Sequence, residues 1–145
     1  MKIAKRLKVT ADMVLKGSYA ADIGTDHAYI PIYLVRQNIS GRVVATDVRY
    51  GPLKRAKRNI VMYGLEDEIC LKQGWGLEPV YDIDVNCAVL AGMGGYLICN
   101  ILGTGYKKAE SIEYFILQPM QFSAELRKYL YCNNYIIYDE SLVKE

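Results

Sequence analysis

Two acids define the chemistry open to this chain. Asp22 lies in a short apolar run, residues 19–23, that leads into the turn Gly24-Thr25-Asp26-His27. Asp47 follows a second apolar run, residues 43–45. The separation, 47 − 22 = 25 positions, leaves room for strand, turn, helix and strand. That order sets a tight backbone turn beside a carboxylate, the arrangement that holds a nucleoside cofactor. A pyrophosphate needs the bare backbone of Gly-x-Gly-x-x-Gly. Here only the first of those glycines, Gly24, is present, and Asp26 would put negative charge where the phosphates lie. The turn therefore argues against NAD and FAD. It suits S-adenosylmethionine, which has no phosphate and carries a sulfonium and an ammonium that carboxylates attract. The plainer alternative for Asp22 and Asp26 is turn and helix capping.

These residues need a scaffold, and the apolar pattern supplies one. Helices are expected over residues 2–15, 28–37, 51–63, 94–102 and 122–132, with Gly17, Gly64 and Gly103 as stops. Strands are expected over 19–23, 42–47, 68–72, 85–90, 114–118 and 135–138. In 85–90 the apolar side chains are consecutive, as in a sheet covered on both faces. Alternating strands and helices imply an α/β fold, a mostly parallel sheet with right-handed crossovers and helices on both faces. The turns at 24–28, 47–51, 74–77, 91–95 and 118–121 all follow strands. All five should line one edge of the sheet, where such folds bind ligands. For Gly92, Gly94 and Gly95 a tight strand-to-helix turn is the structural alternative.

Composition narrows the class. With 145 residues, 52% hydrophobic and 23% charged, the chain reads as one globular domain. No apolar run approaches the roughly 20 residues of a membrane span, and no signal peptide is evident, which points to a cytoplasmic protein. Cys70, Cys87, Cys99 and Cys132 are scattered and read as buried free thiols. His27, the lone histidine, has no nearby sulfur, so no metal site is expected. Basic residues cluster at Lys2, Lys5, Arg6, Lys8 and Lys16, and again at Arg49, Lys54, Arg55, Lys57 and Arg58. Either cluster could meet phosphate or be a solvated helix face.

The pattern Asp22-x-Gly24 resembles the first motif of class I methyltransferases. Longer stretches resemble a narrower family. These are Asp22-Ile-Gly-Thr-Asp-His-Ala-Tyr-Ile-Pro-Ile-Tyr-Leu, Gly51-Pro-Leu, Ala91-Gly-Met-Gly-Gly and Leu117-Gln-Pro-Met. In order and spacing they are similar to the bacterial tRNA (adenine-N1)-methyltransferases that modify adenine 22. The resemblance implies a Rossmann-like domain that moves a methyl group from S-adenosylmethionine to N1 of an adenine in tRNA. Asp22, Gly24, Asp26 and His27 would border the methionine end of the cofactor. Asp47 and Val48 would border ribose and adenine, and Gly74, Trp75 and Gly76 the adenine ring. Ala91, Gly92, Met93 and Gly94 would sit beside the reactive methyl. His27, Tyr29, Gln118, Pro119 and Met120 would frame the target base. Asp26 and Met93 are the expected residues at the reacting centre.

Two departures from that family stand out. Its third turn usually reads Gly-Asp-Gly-Leu, and here it reads Gly74-Trp75-Gly76-Leu77. An acid that would accept a hydrogen bond from the cofactor's adenine is thus a tryptophan, which could stack instead. The family also continues into an inserted strand and a helical tRNA-binding domain, whereas this chain stops at Glu145, so residues 1–145 read as a cofactor domain with an incomplete C-terminal end. A cofactor-binding module without activity is the competing expectation. The sequence leaves the oligomeric state open.

Overall fold

The computed structural model describes residues 1–144. Five strands form one all-parallel sheet: β1 (Ala20–Ile23), β2 (Val43–Asp47), β3 (Ile69–Gln73), β4 (Cys87–Met93) and β5 (Tyr114–Pro119). Their order is β3-β2-β1-β4-β5. The central pairings align Ala20 with Val43 and with Cys87, so β1 is held on both sides. The chain turns direction in the sheet between β1 and β4, which makes their carboxyl ends the switch point where ligands bind in such folds.

Side chains alternate between the two faces, and both faces are apolar. Ala20, Val43, Cys87 and Val89 pack with Ala11, Ile30 and Leu34, under α1 (Lys5–Asp12) and α2 (Tyr29–Arg36). Ala45 packs with Ile32, Ala56, Ile60 and Ile69, under α3 (Tyr50–Met62). Ala21, Ile23, Val44, Ala88 and Leu90 face the other way, against Ile98, Ile101, Leu102, Ala109, Leu126 and Leu130. Those belong to α4 (Gly95–Thr104), α5 (Tyr106–Ser111) and α6 (Ser123–Cys132). In α2, Pro31 sits in the first turn, where its missing N–H costs no helical bond.

Three expectations need correction. Gly103 does not stop α4, which runs to Thr104 and is followed after Gly105 by the unforeseen α5. The expected strand over 135–138 does not form: the backbone there is irregular, and Ile136 and Tyr138 are 74% and 92% exposed. An apolar run becomes a strand only with a ladder partner, and this one pairs with no edge of the sheet. Cys70 and Cys132 are exposed rather than buried, and only Cys87 is fully enclosed. Cys70 lies on the edge strand β3 and Cys132 ends α6, so each has solvent on one side.

Gly95 joins the turn after β4 to the turn after β5. Its N–H donates to the Gln121 carbonyl at 2.8 Å, and a Cβ there would run into the Phe122 carbonyl. Gly95→Ala should therefore cost about 1–3 kcal/mol, read as a fall of several degrees in melting temperature. An unchanged melt would mean that the backbone of this turn yields.

Candidate cofactor site

The β1–α2 turn owes its shape to backbone that few residues adopt. Gly24, Asp26 and Ala28 all have left-handed φ, at 74°, 53° and 61°. For Asp26 and Ala28 that conformation is uphill, so the surroundings must enforce it. They do so through hydrogen bonds to neighbouring elements. Thr25 N–H donates to the Thr46 carbonyl at 2.7 Å, Asp26 N–H to Asp47 Oδ2 at 3.2 Å, and Asn59 Nδ2 to the His27 carbonyl at 2.8 Å. A Cβ on Gly24 would lie 3.2 Å from Met93 Cε, so the glycine also admits the Met93 side chain from β4.

Both acids are buried at the strand ends. Asp22 accepts a hydrogen bond from Thr25 Oγ1 at 2.7 Å. Burial pushes its pKa up to about 7, against the Thr25 bond and with the help of the Asp47 charge. Asp47 Oδ1 accepts the Arg49 N–H at 3.1 Å while Oδ2 takes the Asp26 N–H. Each carboxylate oxygen has a second lone pair, so Asp47 is fixed in place and keeps acceptor capacity for hydroxyl donors. A cleft next to Asp22 is lined by Leu7, Gly24, Thr25, Tyr29, Ile30 and Ala91. Its lining has a carboxylate and no lysine or arginine. That donor set fits the cationic, phosphate-free end of S-adenosylmethionine and does not fit a pyrophosphate.

The carboxyl ends of β4 and β5 are tied together. The register shifts at Gly92, whose φ is 74°, forming a bulge of the kind that re-aims chains beside active sites. Gly92 N–H donates to Gln118 Oε1 at 3.0 Å, and Met120 N–H to the Met93 carbonyl at 3.0 Å. Gln118, Pro119 and Met120 thus sit directly beside Ala91, Gly92 and Met93, as the sequence requires for one site. On the opposite side, Gly74 N–H donates to the Asp47 carbonyl at 3.0 Å, which brings the third turn to Val48. Trp75 is half-buried and packs on the core cluster that includes Leu77 and Val80.

All the expected site residues therefore lie on one sheet edge, with different degrees of engagement. The Asp26 carboxylate points to α3, where Arg55 Nη2 lies 3.0 Å away, and His27 Nε2 lies 3.6 Å away. The His27 ring stacks on Tyr29 at 5.0 Å between centroids. Arg55, Thr25, Asn59 and Leu7 belong to the site and were not singled out for it in the sequence. Arg55 was read only as one of a basic cluster, and no spacing rule ties it to Asp26. Of that cluster Lys54, Lys57 and Arg58 are exposed on α3. No group of metal-binding side chains stands together among the described residues. No helix there is long and apolar enough to cross a membrane.

Comparison with known proteins adds an independent line. A family model described as a methyltransferase domain matches residues 3–145. The tRNA (adenine(22)-N(1))-methyltransferase of Bacillus subtilis (strain 168) is 37% identical over 145 residues, covering 100% of this chain and 61% of that protein. The Streptococcus pneumoniae protein Sp1610, solved with S-adenosyl-L-methionine, superposes with a TM-score of 0.96 at 36% identity, covering 99% of this chain and 68% of that one. M. capricolum TrmK, solved with S-adenosyl-homocysteine, gives a TM-score of 0.89 at 31% identity, covering 100% of this chain and 64% of that one. The chain thus spans about three-fifths of the curated relative's length.

Proposed function

The chain belongs to the methyltransferase-domain family, in the branch of the bacterial tRNA (adenine(22)-N(1))-methyltransferases, and on that premise we propose that it methylates N1 of adenine 22 in tRNA. Residues 1–145 act as the S-adenosylmethionine-binding domain of that activity, in the cytoplasm. One observation carries the reading: two buried carboxylates, Asp22 and Asp47, flank a left-handed glycine turn at the switch point of the sheet. When bound, S-adenosylmethionine supplies an electrophilic methyl group on its sulfonium.

Adenine N1 has a lone pair at neutral pH and needs no base to free it. The work left to the protein is positioning, which can supply several kcal/mol of the barrier. Asp22 and the cleft beside it attract the ammonium end, and Asp47 accepts the ribose hydroxyls. Met93 and the Gly92 bulge wall the reacting side, and Gln118, Pro119 and Met120 border the incoming base. N1 lies on the Watson–Crick edge, so the target nucleotide must leave its stack before it can enter. Exposed Lys54, Lys57 and Arg58 on α3 hold the RNA backbone.

Methylation makes the base cationic, and Asp26 is the acid we assign to stabilising that charge. Before substrate binds, its carboxylate is paired with Arg55 Nη2 at 3.0 Å. Asp26→Asn should preserve cofactor affinity, read by calorimetry, while lowering the methylation rate. Loss of binding instead would make Asp26 a cofactor ligand.

Trp75 favours a second reading, a module that binds the cofactor without transferring from it, because it replaces the acid that the family sets at the adenine. Trp75→Asp should restore one hydrogen bond, worth about 1 kcal/mol or several-fold in affinity. Equal affinities of the two proteins would remove Trp75 from the account of binding. The overall test is transfer of labelled methyl to a tRNA transcript at saturating cofactor, alongside a transcript with guanine at position 22. Transfer only to the first supports the proposal. Cofactor binding with no transfer favours the silent module, and NAD binding in its place would overturn both.

A further inference from the structure

Two aromatic side chains at the rim of the site have no role in anything described above. Tyr96, in the first turn of α4, and Phe122, immediately before α6, are 58% and 47% exposed. Their rings meet at 4.7 Å between centroids, tilted by 45°. The pair is rigidly mounted. Gly95 N–H bonds the Gln121 carbonyl, and Met120 N–H bonds the Met93 carbonyl, so the two turns that bear the rings move as one. Phe122 has φ of 57°, a left-handed conformation that a bulky side chain adopts only when its surroundings impose it. A large ring is thus held partly in water by strained backbone, two residues beyond the turn that borders the target base.

We propose that Tyr96 and Phe122 form a stacking platform for the base next to the target adenosine in the RNA strand. This rests on the reading of the site as an RNA methyltransferase. The occupant follows from continuity and charge. The platform adjoins the Gln118–Met120 turn on one flank of the site, at β4 and β5. The exposed cations of α3 stand on the other flank, at β2. A strand of RNA crossing the site from one to the other meets phosphate-binding charge first and uncharged aromatic faces last. When the target nucleotide leaves its stack, its neighbour loses a stacking partner, and a fixed ring pair replaces that partner. Base–aromatic stacking needs no particular base.

Phe122→Leu and Tyr96→Leu keep apolar bulk and remove the ring. Each should raise the KM for tRNA about tenfold, with kcat and cofactor affinity unchanged. Phe122→Tyr should behave as the parent. Thermal melts of each protein check that the fold is intact. A second measurement reads the contact directly: 2-aminopurine placed next to the target in a tRNA hairpin should be quenched on binding to the parent and far less by the leucine variants. Parental KM and parental quenching in both leucine variants would overturn the platform while methyl transfer still supported the function. Ring-dependent quenching without methyl transfer would keep the platform and sink the function. Absence of transfer and of quenching in the parent would overturn both.

Discussion

Asp47→Ala should weaken S-adenosylmethionine binding by about two orders of magnitude, more than any other single change at the site. The carboxylate does two jobs at once. Inside the protein it accepts the Asp26 and Arg49 amide N–H groups and so sets the β1–α2 turn against the start of α3. Toward the ligand, on the proposed reading, its remaining lone pairs would accept two ribose hydroxyls. A hydrogen bond to a charged group contributes about 1.5–3 kcal/mol, and both ligand bonds vanish in alanine. Two backbone donors are also orphaned, so the melting temperature should drop as well. Asp47→Asn keeps one acceptor oxygen and should fall between the two. Calorimetric titration of the three proteins decides the matter: equal affinities would remove Asp47 from the ribose site.

The second large effect is in pH. Burial raises the Asp22 carboxyl to about 7, from about 3.8 in the unfolded chain. Between those values the unfolded chain has lost its proton while the folded one keeps it. Folding stability attributable to Asp22 is therefore full below about pH 4, declines as pH rises and levels off above about 7. The shift of about three units corresponds to a loss on the order of 4 kcal/mol, and Asp22→Asn should flatten that slope. Ligand affinity should run the opposite way. An ammonium prefers the ionised carboxylate, so below pH 7 binding must expel a proton, and affinity should fall about tenfold per pH unit toward acid. Titrations in buffers of different ionisation enthalpy would count the proton. Affinity that is flat from pH 5 to 8 would separate Asp22 from the ammonium.

The sheet was legible because its signals are local. Short apolar runs ending in turns placed β1, β2, β3 and β5 to within a residue or so. β4 starts later and runs three residues further than expected, because its end is fixed by the ladder with β5 and the Gly92 bulge rather than by apolar pattern. α5, a six-residue helix, is too short to show a period. The run 135–138 misled for the reverse reason, having the composition of a strand and no partner. At the candidate site, residue types pointed to Asp22, Gly24, Asp47 and the Ala91–Gly94 turn, which the fold brings to the carboxyl ends of β1, β2 and β4. What they could not show are contacts made across the fold: Arg55 on Asp26, Gln118 on Gly92, and Met93 filling the space that Gly24 leaves open.

The ladder between β1 and β4 joins Ala20 to Cys87, 87 − 20 = 67 residues apart. During synthesis β1, β2 and β3 leave the ribosome before β4 and β5, although a domain folds as a unit. The residues of the Asp47 clamp are thus made before those of the Met93 turn and the aromatic rim. Closing a long-range parallel pairing is slow, since loop entropy is spent before contacts return it. A cofactor that touches both Asp47 and the Met93 turn bridges parts made at different times. A ligand that binds only the folded form stabilises it by an amount that grows with the logarithm of its concentration. On the proposed function, the cell's supply of methyl donor would bear on how much of this chain is folded, in addition to how fast it works.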